Sequence, residues 1–267
     1  MKKFIAIACL GLFIASCSRV PLTGRKQVTW IPGGQMRAMS FAQYKSFLTQ
    51  KRPETSGTNY NMVKKVGQKL EQAVTSYMSS KGLSDNLKGY QWEYNLVNDK
   101  AVNAFAMPGG KVVIYSGLLP VTQSEAGLAA VMGHELSHVI AEHGNERMSK
   151  TLIAQGLAIG GSAAISANNP QHVNIFNQAF GMGAQGVLLA FSRKHELEAD
   201  RMGMIFMARA GYDPKEAIGV WQRMGKQGGA KPPEILSTHP HDATRIANLQ
   251  KYLEEANVHY RPNNRRR

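Results

Sequence analysis

Cysteine is nearly absent from this 267-residue chain, which contains only Cys9 and Cys17. Beyond residue 17 there is no thiol, so no disulfide can form within the rest of the chain. Its fold must therefore rest on core packing, with a bound metal as the other available constraint. Acidic residues are also scarce, because 18 carboxylates face 32 lysines and arginines and leave a net charge of +14. The apolar share of 43% is ordinary for a globular protein and excludes wholesale disorder.

The apolar run at the start of the chain is too short to span a bilayer stably. Lys2 and Lys3 precede an apolar stretch over residues 4–14, and the sequence Ile-Ala-Ser-Cys then ends at Cys17. This pattern predicts a signal peptide over residues 1–16. The ending resembles a bacterial lipobox, which implies cleavage before Cys17 and lipidation of that cysteine; the alternative is an ordinary signal peptide in which Cys17 is incidental. By the same resemblance, Ser18 in place of an aspartate favours an outer-membrane lipoprotein that faces the periplasm.

Positive charge is dense only in the tail over residues 261–267, where four of the seven residues are arginine. Such a tail binds nucleic acid or anionic lipid, or is simply solvated, and the solvated tail is the favoured interpretation. For a chain attached to lipid, the membrane surface is a more natural partner than nucleic acid. No nucleic-acid partner is therefore expected.

The chain has no internal repeat, and nothing in it indicates a tetratricopeptide array. The economical interpretation is an extended, lipidated tether over residues 17–35, a single domain over residues 36–260 and a basic tail. Apolar periodicity predicts helices at residues 36–50, 59–80, 126–148, 186–210 and 241–255, with a capping box at residues 122–125 before the third. Alternation and turn signals predict strands at residues 90–96, 101–106 and 111–115. The predicted fold class is α+β and mostly helical.

His134 and His138 are the first candidates for catalytic chemistry, because they lie four residues apart on one of the predicted helices. That spacing turns a helix by about 40° beyond a full circle, so both imidazoles project from one face and can share a zinc ion. Glu135 is one step around the helix, where its carboxylate lies beside the metal and can take a proton from metal-bound water. The pattern also arises by chance, and its helical context strengthens it.

A third protein ligand is needed to leave zinc one open position. On a continuous helix, His143 lies about 140° around from His138, so it is expected to be a capping or supporting group rather than a ligand. The favoured ligand is Glu196, with Asp200 one turn further on the same face to accept a hydrogen bond from a ligand histidine. The alternative is a solvated acidic face in which residues 196, 198 and 200 pair with Arg193, Lys194 and Arg201.

Three motifs occur in a specific order: Gly-His-Glu-Leu-Ser-His at residues 133–138, Ser-Arg-Lys-His-Glu-Leu-Glu-Ala-Asp at 192–200, and Ser-Thr-His-Pro at 237–240 followed by Arg245-Ile246. Together with Asn-Ala-Phe-Ala at residues 103–106 and the glycine-containing stretch at 109–119, they resemble the HtpX/BepA/LoiP group of gluzincin peptidases, relatives of the membrane CAAX prenyl protease. The similarity covers roughly residues 60–250 and is closer to the soluble, lipid-anchored branch.

The resemblance implies a gluzincin-type core in which a small three- or four-stranded sheet packs on the zinc-binding helices. It implies one Zn²⁺ per chain held by His134, His138 and Glu196, with Glu135 as the catalytic base. His239 matches a family histidine near the metal, where it either stabilises the oxyanion or plugs the open position.

An extended substrate is expected to pair with an exposed edge strand, either at residues 111–115 or at its neighbour with Asn103, Ala104 and Phe105. Such backbone pairing gives weak selectivity, which suits unfolded proteins; the alternative is an ordinary covered strand. The favoured function is a zinc endopeptidase for damaged or misassembled envelope proteins. One alternative is an outer-membrane protein assembly factor or chaperone with a normally autoinhibited zinc site. A more distant one is an anionic-lipid or nucleic-acid binder with an incidental metal.

Overall fold

The structure is a computed structural model that describes residues 17–156, 165–180, 191–227, 235–236, 239 and 243–261. The described residues form an α+β fold that is mostly helical, with one two-stranded and one three-stranded sheet. The predicted fold class is therefore confirmed. The predicted signal peptide at residues 1–16, and the basic tail from residue 262 onward, lie outside the described residues and stay predictions.

The first described residues form a hairpin that packs into the fold. Strands β1 (Cys17–Arg19) and β2 (Lys26–Val28) pair antiparallel. Val20 is 1% exposed, and Ile31 after the hairpin is 2% exposed, so this stretch contributes to the core. The tether predicted over residues 17–35 is therefore wrong in that these residues dock onto the domain, whereas the lipidation of Cys17 stays a prediction. The proline and glycine that suggested extension instead form a turn, in which Gly24 N donates to Val20 O.

The main sheet has the strand order β3–β5–β4, with β3 (Glu93–Val97), β4 (Ala104–Met107) and β5 (Lys111–Tyr115). Strand β5 runs parallel to β3 and antiparallel to β4. Because β5 is central, it cannot be the edge strand to which a substrate adds. Pro53 forms a bridge to Val97 and covers the free side of β3, which leaves β4 as the edge strand of the described sheet.

Alternate residues of the sheet enter two separate cores. One face belongs to the larger core, which includes α2 (Thr58–Ser80) and receives Ala104, Ala106, Val112 and Ile114. The opposite face belongs to a smaller core, which includes α1 (Gly33–Gln50) and receives Phe105, Met107, Val113 and Tyr115. Both faces of the sheet are therefore largely buried, and β4 and the last four residues of β5 are apolar without alternation.

Helix α3 (Glu125–Ile140) contains the His-Glu-x-x-His motif. Its N-cap is Ser124, whose Oγ accepts a hydrogen bond from Gly127 N at 3.0 Å. The predicted capping box at residues 122–125 is wrong, because Thr122 belongs to a single preceding helical turn and donates its hydroxyl to a carbonyl of that turn. The start of α3 is nevertheless capped by a hydroxyl, as its unpaired amides require.

The helix predicted over residues 126–148 is divided at Glu142. This residue has a left-handed backbone with a φ of 55°, and α4 (His143–Ala154) starts directly after it. The change of direction brings His143 back toward α3, where its Nδ1 lies 3.0 Å from His138 Nδ1. The angular argument that placed His143 on another face is therefore wrong, because it assumed one continuous helix.

The remaining described helices are α5 (Pro170–Ala179), α6 (Arg193–Arg209), α7 (Lys215–Lys226) and α8 (Ala243–His259). Helix α6 starts after Ser192, whose Oγ accepts a hydrogen bond from His195 N at 3.3 Å. The earlier start predicted near residue 186 lies outside the described residues. Gly211, with a φ of 84°, follows the end of α6 as predicted. None of the described helices combines the length and apolarity needed to cross a membrane.

Helices α3 and α6 approach closely at two glycines. A Cβ added to Gly203 would lie 2.8 Å from His134 N, and one added to Gly133 would lie 3.0 Å from Gly203 O. Any side chain at Gly203 would therefore push the two helices apart. Their contact determines how far His134, on α3, lies from Glu196, on α6.

Candidate metal centre

Four buried side chains converge between α3, α6 and residue 239. They are His134, His138, Glu196 and His239, and each offers one ligand atom within 4.8 Å of the other three. None of these residues is more than 4% exposed. The sequence predicted three of them as ligands and placed the fourth near the metal. The structure brings all four together, and we call them the donor ring.

The distances within the donor ring fit a small tetrahedral ion. His134 Nε2 lies 3.1 Å from His138 Nε2 and 3.2 Å from His239 Nδ1. Glu196 Oε1 lies 3.4 Å from His138 Nε2 and 3.0 Å from His239 Nδ1. Donors bound to tetrahedral zinc at about 2.0–2.1 Å are separated by about 3.3 Å. Imidazole nitrogens this close repel each other unless a proton or a cation lies between them, so the donor set fits a metal ion.

Glu135 lies beside the donor ring without being part of it. Its Oε1 is 3.5 Å from His239 Nε2 and has no hydrogen-bond partner among the described residues. Burial raises the pKa of the Glu135 carboxyl above its usual value. An unpaired carboxylate oxygen of raised basicity next to a metal site is suited to accept a proton at neutral pH.

His134 is supported by a carboxylate and an arginine. Its Nδ1 donates to Asp200 Oδ1 at 2.9 Å, which is the contact expected from the sequence. Arg245 donates to both oxygens of Asp200, at 2.9 and 2.7 Å, and its Nη1 lies 3.0 Å from Glu196 Oε2. The Arg245 guanidinium also lies 3.5 Å from the ring centre of Trp221. Because Asp200 occupies Nδ1, Nε2 of His134 is the nitrogen that faces the donor ring.

Arg245 is the main residue whose role the sequence analysis did not foresee. It is 2% exposed and pairs with carboxylates on another helix. A signal was available, because buried carboxylates at positions 135, 196 and 200 require a buried cation. Choosing Arg245 among the 32 basic residues nevertheless requires the tertiary structure.

The charges in the site shift several pKa values. Burial alone would raise the pKa of Glu196, but the charges of His239 and Arg245 hold it well below the usual range. Burial alone would lower the pKa of His134, but hydrogen bonds to Asp200 and Glu196 outweigh it and raise the pKa to about 9. Burial lowers the pKa of His138 well below its usual value. His134 therefore holds a proton in the metal-free state, and metal binding must displace it.

The alternative of a solvated acidic face on α6 is wrong. Glu196, Glu198 and Asp200 are 3%, 9% and 2% exposed. Arg201, one of the suggested partners, instead donates to Glu255 at 2.7 Å. The three acidic residues face the protein interior, where Glu196 belongs to the donor ring and Asp200 and Glu198 contact histidines.

Aromatic rings enclose the donor ring. The Phe191 ring centre lies 3.9 Å from that of His138 and 4.9 Å from that of His239. The Arg147 guanidinium also packs on Phe191, 3.8 Å from the ring centre. These contacts limit water around the site, which strengthens the electrostatic interactions inside it.

The suggested substrate residues lie on the edge strand and just before it. Asn103, Ala104 and Phe105 are all buried, and the Phe105 ring packs edge-on against Phe47 at 5.2 Å in the smaller core. The Phe105 side chain therefore faces away from the helix that contains His134. Strand β4 itself packs against α3. Any pairing with a substrate at this strand would use its backbone, and that role stays a prediction.

The fold and the donor ring define a metallopeptidase: a His-Glu-x-x-His helix, a glutamate on a second helix and a carboxylate base. Residues 64–253 match peptidase family M48. The chain belongs to this family and is by class a metalloendopeptidase. Its membership confirms the metallopeptidase predicted from the sequence.

Relatives come from mitochondria and from bacteria. The Saccharomyces cerevisiae protein named mitochondrial metalloendopeptidase OMA1 is 31% identical over 97% of this chain and 76% of its own length. The OMA1 protein of Schizosaccharomyces pombe is 36% identical over 66% of this chain and 50% of its own length. The Escherichia coli beta-barrel assembly-enhancing protease is 30% identical over 66% of this chain and 38% of its own length. The chain thus spans half or less of the latter two relatives.

Proposed function

We propose that this protein is a zinc-dependent endopeptidase that hydrolyses damaged or misassembled proteins of the bacterial cell envelope. The donor ring with Glu135 beside it is the observation that carries the zinc chemistry. The compartment is supported by the lipobox-like ending at Cys17. The substrate class is supported by similarity to a bacterial protein whose name describes an assembly-enhancing protease.

In the proposed mechanism, His134, His138 and Glu196 would hold the zinc ion. When bound, zinc supplies Lewis acidity, which lowers the pKa of a coordinated water to about 7 and polarises the scissile carbonyl. Glu135 takes the proton from the attacking water and delivers it to the nitrogen of the leaving amine, so the water is divided between the two products. Asp200 and Arg245 keep His134 in the required orientation throughout.

The test of this function is Glu135→Gln in the full chain. The variant keeps the shape of the side chain but removes the base. We expect it to retain about one zinc per chain and to lose cleavage of an unfolded protein substrate by at least about a hundredfold. Glu125→Gln, at the other end of the same helix, is the matched control and should cleave at the wild-type rate. Wild-type cleavage by Glu135→Gln would refute the proposal.

A second candidate function is an assembly factor whose metal site is normally closed, and His239 is the observation that favours it. Its Nδ1 completes the donor ring, at 3.2 Å from His134 Nε2 and 3.0 Å from Glu196 Oε1. Four protein ligands leave no open position on tetrahedral zinc, which is typical of a site that does not catalyse. In this arrangement His239 must move before water or substrate can reach the metal.

His239→Ala separates the two candidates. If His239 blocks the metal site, the variant should cleave unfolded protein faster than wild type while it still binds zinc. A histidine that stabilises the oxyanion predicts a loss of cleavage with zinc retained. Combining His239→Ala with Glu135→Gln is the control, because any activity released by the first substitution must vanish with the second.

The proposed attachment to the outer membrane depends on Cys17. Replacement by serine removes the thiol that would be lipidated, and should abolish incorporation of radiolabelled palmitate into the protein. Cys9→Ser is the matched control, because that residue lies within the predicted signal peptide. Palmitate incorporation that is unchanged by Cys17→Ser would refute lipid anchoring at this residue.

A further inference from the structure

A continuous series of contacts joins the donor ring to the N-terminal hairpin. His138 Nδ1 lies 3.0 Å from His143 Nδ1, and His143 Nε2 lies 3.2 Å from Glu198 Oε2. Arg25, just before β2, donates from Nε to the same Glu198 oxygen at 2.6 Å. Thr23, in the turn of the hairpin, donates its hydroxyl to the other oxygen of Glu198.

The direction of these hydrogen bonds follows from the carboxylate at the end of the series. An ionised carboxylate only accepts, so Nε2 of His143 must carry the hydrogen that Glu198 receives. In a neutral imidazole the other nitrogen then has a free lone pair, and His143 Nδ1 accepts from His138 Nδ1. His138 is left with a lone pair on Nε2, the atom that faces the donor ring. Glu198 thereby determines which nitrogen of His138 can bind a metal.

Arg25 is placed to hold Glu198 in this role. Its guanidinium spans two carboxylates on two helices, with Nε on Glu198 of α6 and Nη2 on Glu146 of α4 at 2.8 Å. Glu146 in turn accepts from His195 Nε2 at 3.1 Å. The His143 and His195 rings stack, with centres 4.3 Å apart and planes inclined by 17°. Without Arg25, the buried carboxylates of Glu146 and Glu198 would lose the cation that contacts both of them.

The hairpin depends on the same contacts. A two-stranded hairpin is marginally stable on its own, so β1 and β2 need tertiary contacts to stay in place. Val20 supplies an apolar contact, and Arg25 and Thr23 supply polar ones. The position of the hairpin and the orientation of the His138 side chain therefore depend on the same contacts.

We propose that Arg25 is a positioning residue of the metal site, which fixes the orientation and the metal-binding nitrogen of His138 through Glu198 and His143. The proposal rests on the proposed function to the extent that it takes His138 as a zinc ligand. His138 then has the same kind of support as His134: Asp200 and Arg245 hold one histidine, and Glu198 with Arg25 holds the other through His143. The N-terminal hairpin is accordingly part of the active-site architecture.

The test measures zinc binding rather than activity. The zinc dissociation constant of the full chain is measured by competition with a chromophoric chelator, and the visible absorption of the Co²⁺-substituted protein reports the ligand geometry. Arg25→Ala should raise the zinc dissociation constant by about tenfold or more, as for other residues that orient metal ligands, and should alter the Co²⁺ spectrum. Arg25→Lys should give a smaller rise, because lysine keeps the charge but cannot span both carboxylates.

Arg19→Ala is the matched control. Arg19 belongs to the same hairpin but is exposed, and its side chain donates to Gly24 O alone among the described residues, at 3.1 Å. The Arg19→Ala variant should therefore have the zinc dissociation constant and the Co²⁺ spectrum of the wild type. The melting temperature of the metal-free protein separates general loosening from the proposed effect. If Arg25→Ala lowers that temperature but leaves zinc affinity and spectrum at wild-type values, Arg25 is merely structural and the proposal is overturned.

If Arg25→Ala does not fold, Thr23→Val provides the second test. It replaces a hydroxyl by a methyl group of similar size and removes one donor to Glu198, so the zinc dissociation constant should rise by about threefold. An unchanged constant would overturn the proposal. Failure of the wild-type chain to bind zinc would be a different result, because it would refute the proposed function and this inference with it.

Discussion

At the scale of single residues, the site depends on buried charges of opposite sign that compensate one another. Glu196 and Asp200 are 3% and 2% exposed, and Arg245 is the arginine that contacts both. Removing one member of such a set leaves the other charges uncompensated in a medium that solvates them poorly. The arginine should therefore matter to folding as well as to metal binding.

We expect Arg245→Met to lower the free energy of unfolding of the metal-free protein by about 3–5 kcal/mol, because two buried carboxylates lose their cation. Arg201→Met is the matched control. It removes an arginine from an ion pair with Glu255 in which the side chains are 35% and 38% exposed, and it should cost less than about 1 kcal/mol. Urea unfolding of both variants measures the difference, and equal losses would contradict the argument.

Glu146 should make the stability of the protein depend on pH. Burial alone would raise its pKa, but hydrogen bonds from His195, Arg25 and Lys150 hold that pKa well below the usual range. A carboxyl group whose pKa is depressed on folding contributes stability above its unfolded pKa, about 4.3, and loses that contribution as the pH falls toward its folded pKa. The contribution is thus complete at pH 7 and declines below about pH 4.3.

Glu146→Gln should accordingly lower the free energy of unfolding by about 3 kcal/mol at pH 7. The difference in free energy of unfolding between this variant and the wild type should narrow as the pH falls from 4.3 to 3, because the Glu146 carboxylate takes up a proton in the unfolded wild-type chain but stays ionised in the folded one. Urea unfolding at the three pH values provides the measurement. Glu254→Gln, at an exposed position on α8, should leave the wild-type value unchanged at every pH. A gap of constant size would show that the charge of Glu146 is not the cause.

At the scale of elements, the geometry of the donor ring is set by how α3 and α6 meet. Both helices contain a glycine at the point of contact, and each glycine allows the backbones to approach without an intervening side chain. His134 directly follows Gly133, and Glu196 lies two turns before Gly203 on α6. A shift of the helices therefore moves the histidine and the glutamate apart.

Gly203→Ala should separate these helices, because its Cβ would lie 2.8 Å from His134 N. We expect a loss of about 1–3 kcal/mol in the free energy of unfolding, together with weaker zinc binding. Gly219→Ala is the control within another helix, since its Cβ would approach no atom closer than the Arg223 side chain, at 3.1 Å. Its effect should be a gain of about 0.5–1 kcal/mol from helix propensity. Thermal unfolding and zinc titration of both variants test the contrast.

Two elements were predicted wrongly, the helix that breaks at Glu142 and the hairpin over residues 17–28, because the local sequence contains no clear signal for either. Apolar periodicity predicts both halves of the region from 126 to 148 as helix, yet a single left-handed residue at Glu142 divides it. Glutamate has no marked preference for the left-handed conformation, so the residue type at position 142 does not indicate that the helix ends there. The hairpin over residues 17–28 escaped prediction for a related reason, because its strands have three residues each and little alternation to detect.

At the scale of the whole molecule, metal binding and folding should be coupled. The donor ring joins α3, α6 and residue 239, which are far apart in the sequence, and the chain beyond Cys17 has no cysteine to form a disulfide. A metal ion that binds only the folded state stabilises it by mass action. Zinc would thus provide the kind of constraint that disulfides provide in many small exported proteins.

Removal of zinc by a chelator should therefore lower the melting temperature. Zinc present at about a thousand times its dissociation constant adds about 4 kcal/mol, which corresponds to about 10 °C for a domain of this size. His138→Asn, which removes one donor, should melt near the chelated wild type and respond little to the chelator. Scanning calorimetry with and without chelator measures this, and a chelated wild type that melts at the same temperature would refute the coupling.

The sequence by itself determined the metallopeptidase class, the α+β fold and three of the four donors, and it placed His239 near the metal without deciding its role. These follow from short-range patterns, because helical spacing brings His134 and His138 together and places Asp200 one turn from Glu196. The tertiary structure decided that His239 completes the donor ring and that Arg245 compensates the charges of Glu196 and Asp200. It also decided that Arg25 contacts Glu198, which supports His138 through His143. Those contacts join residues separated by 43 to 173 positions. Local periodicity carries no information about which distant charges meet, because these contacts depend on how separate elements pack against one another.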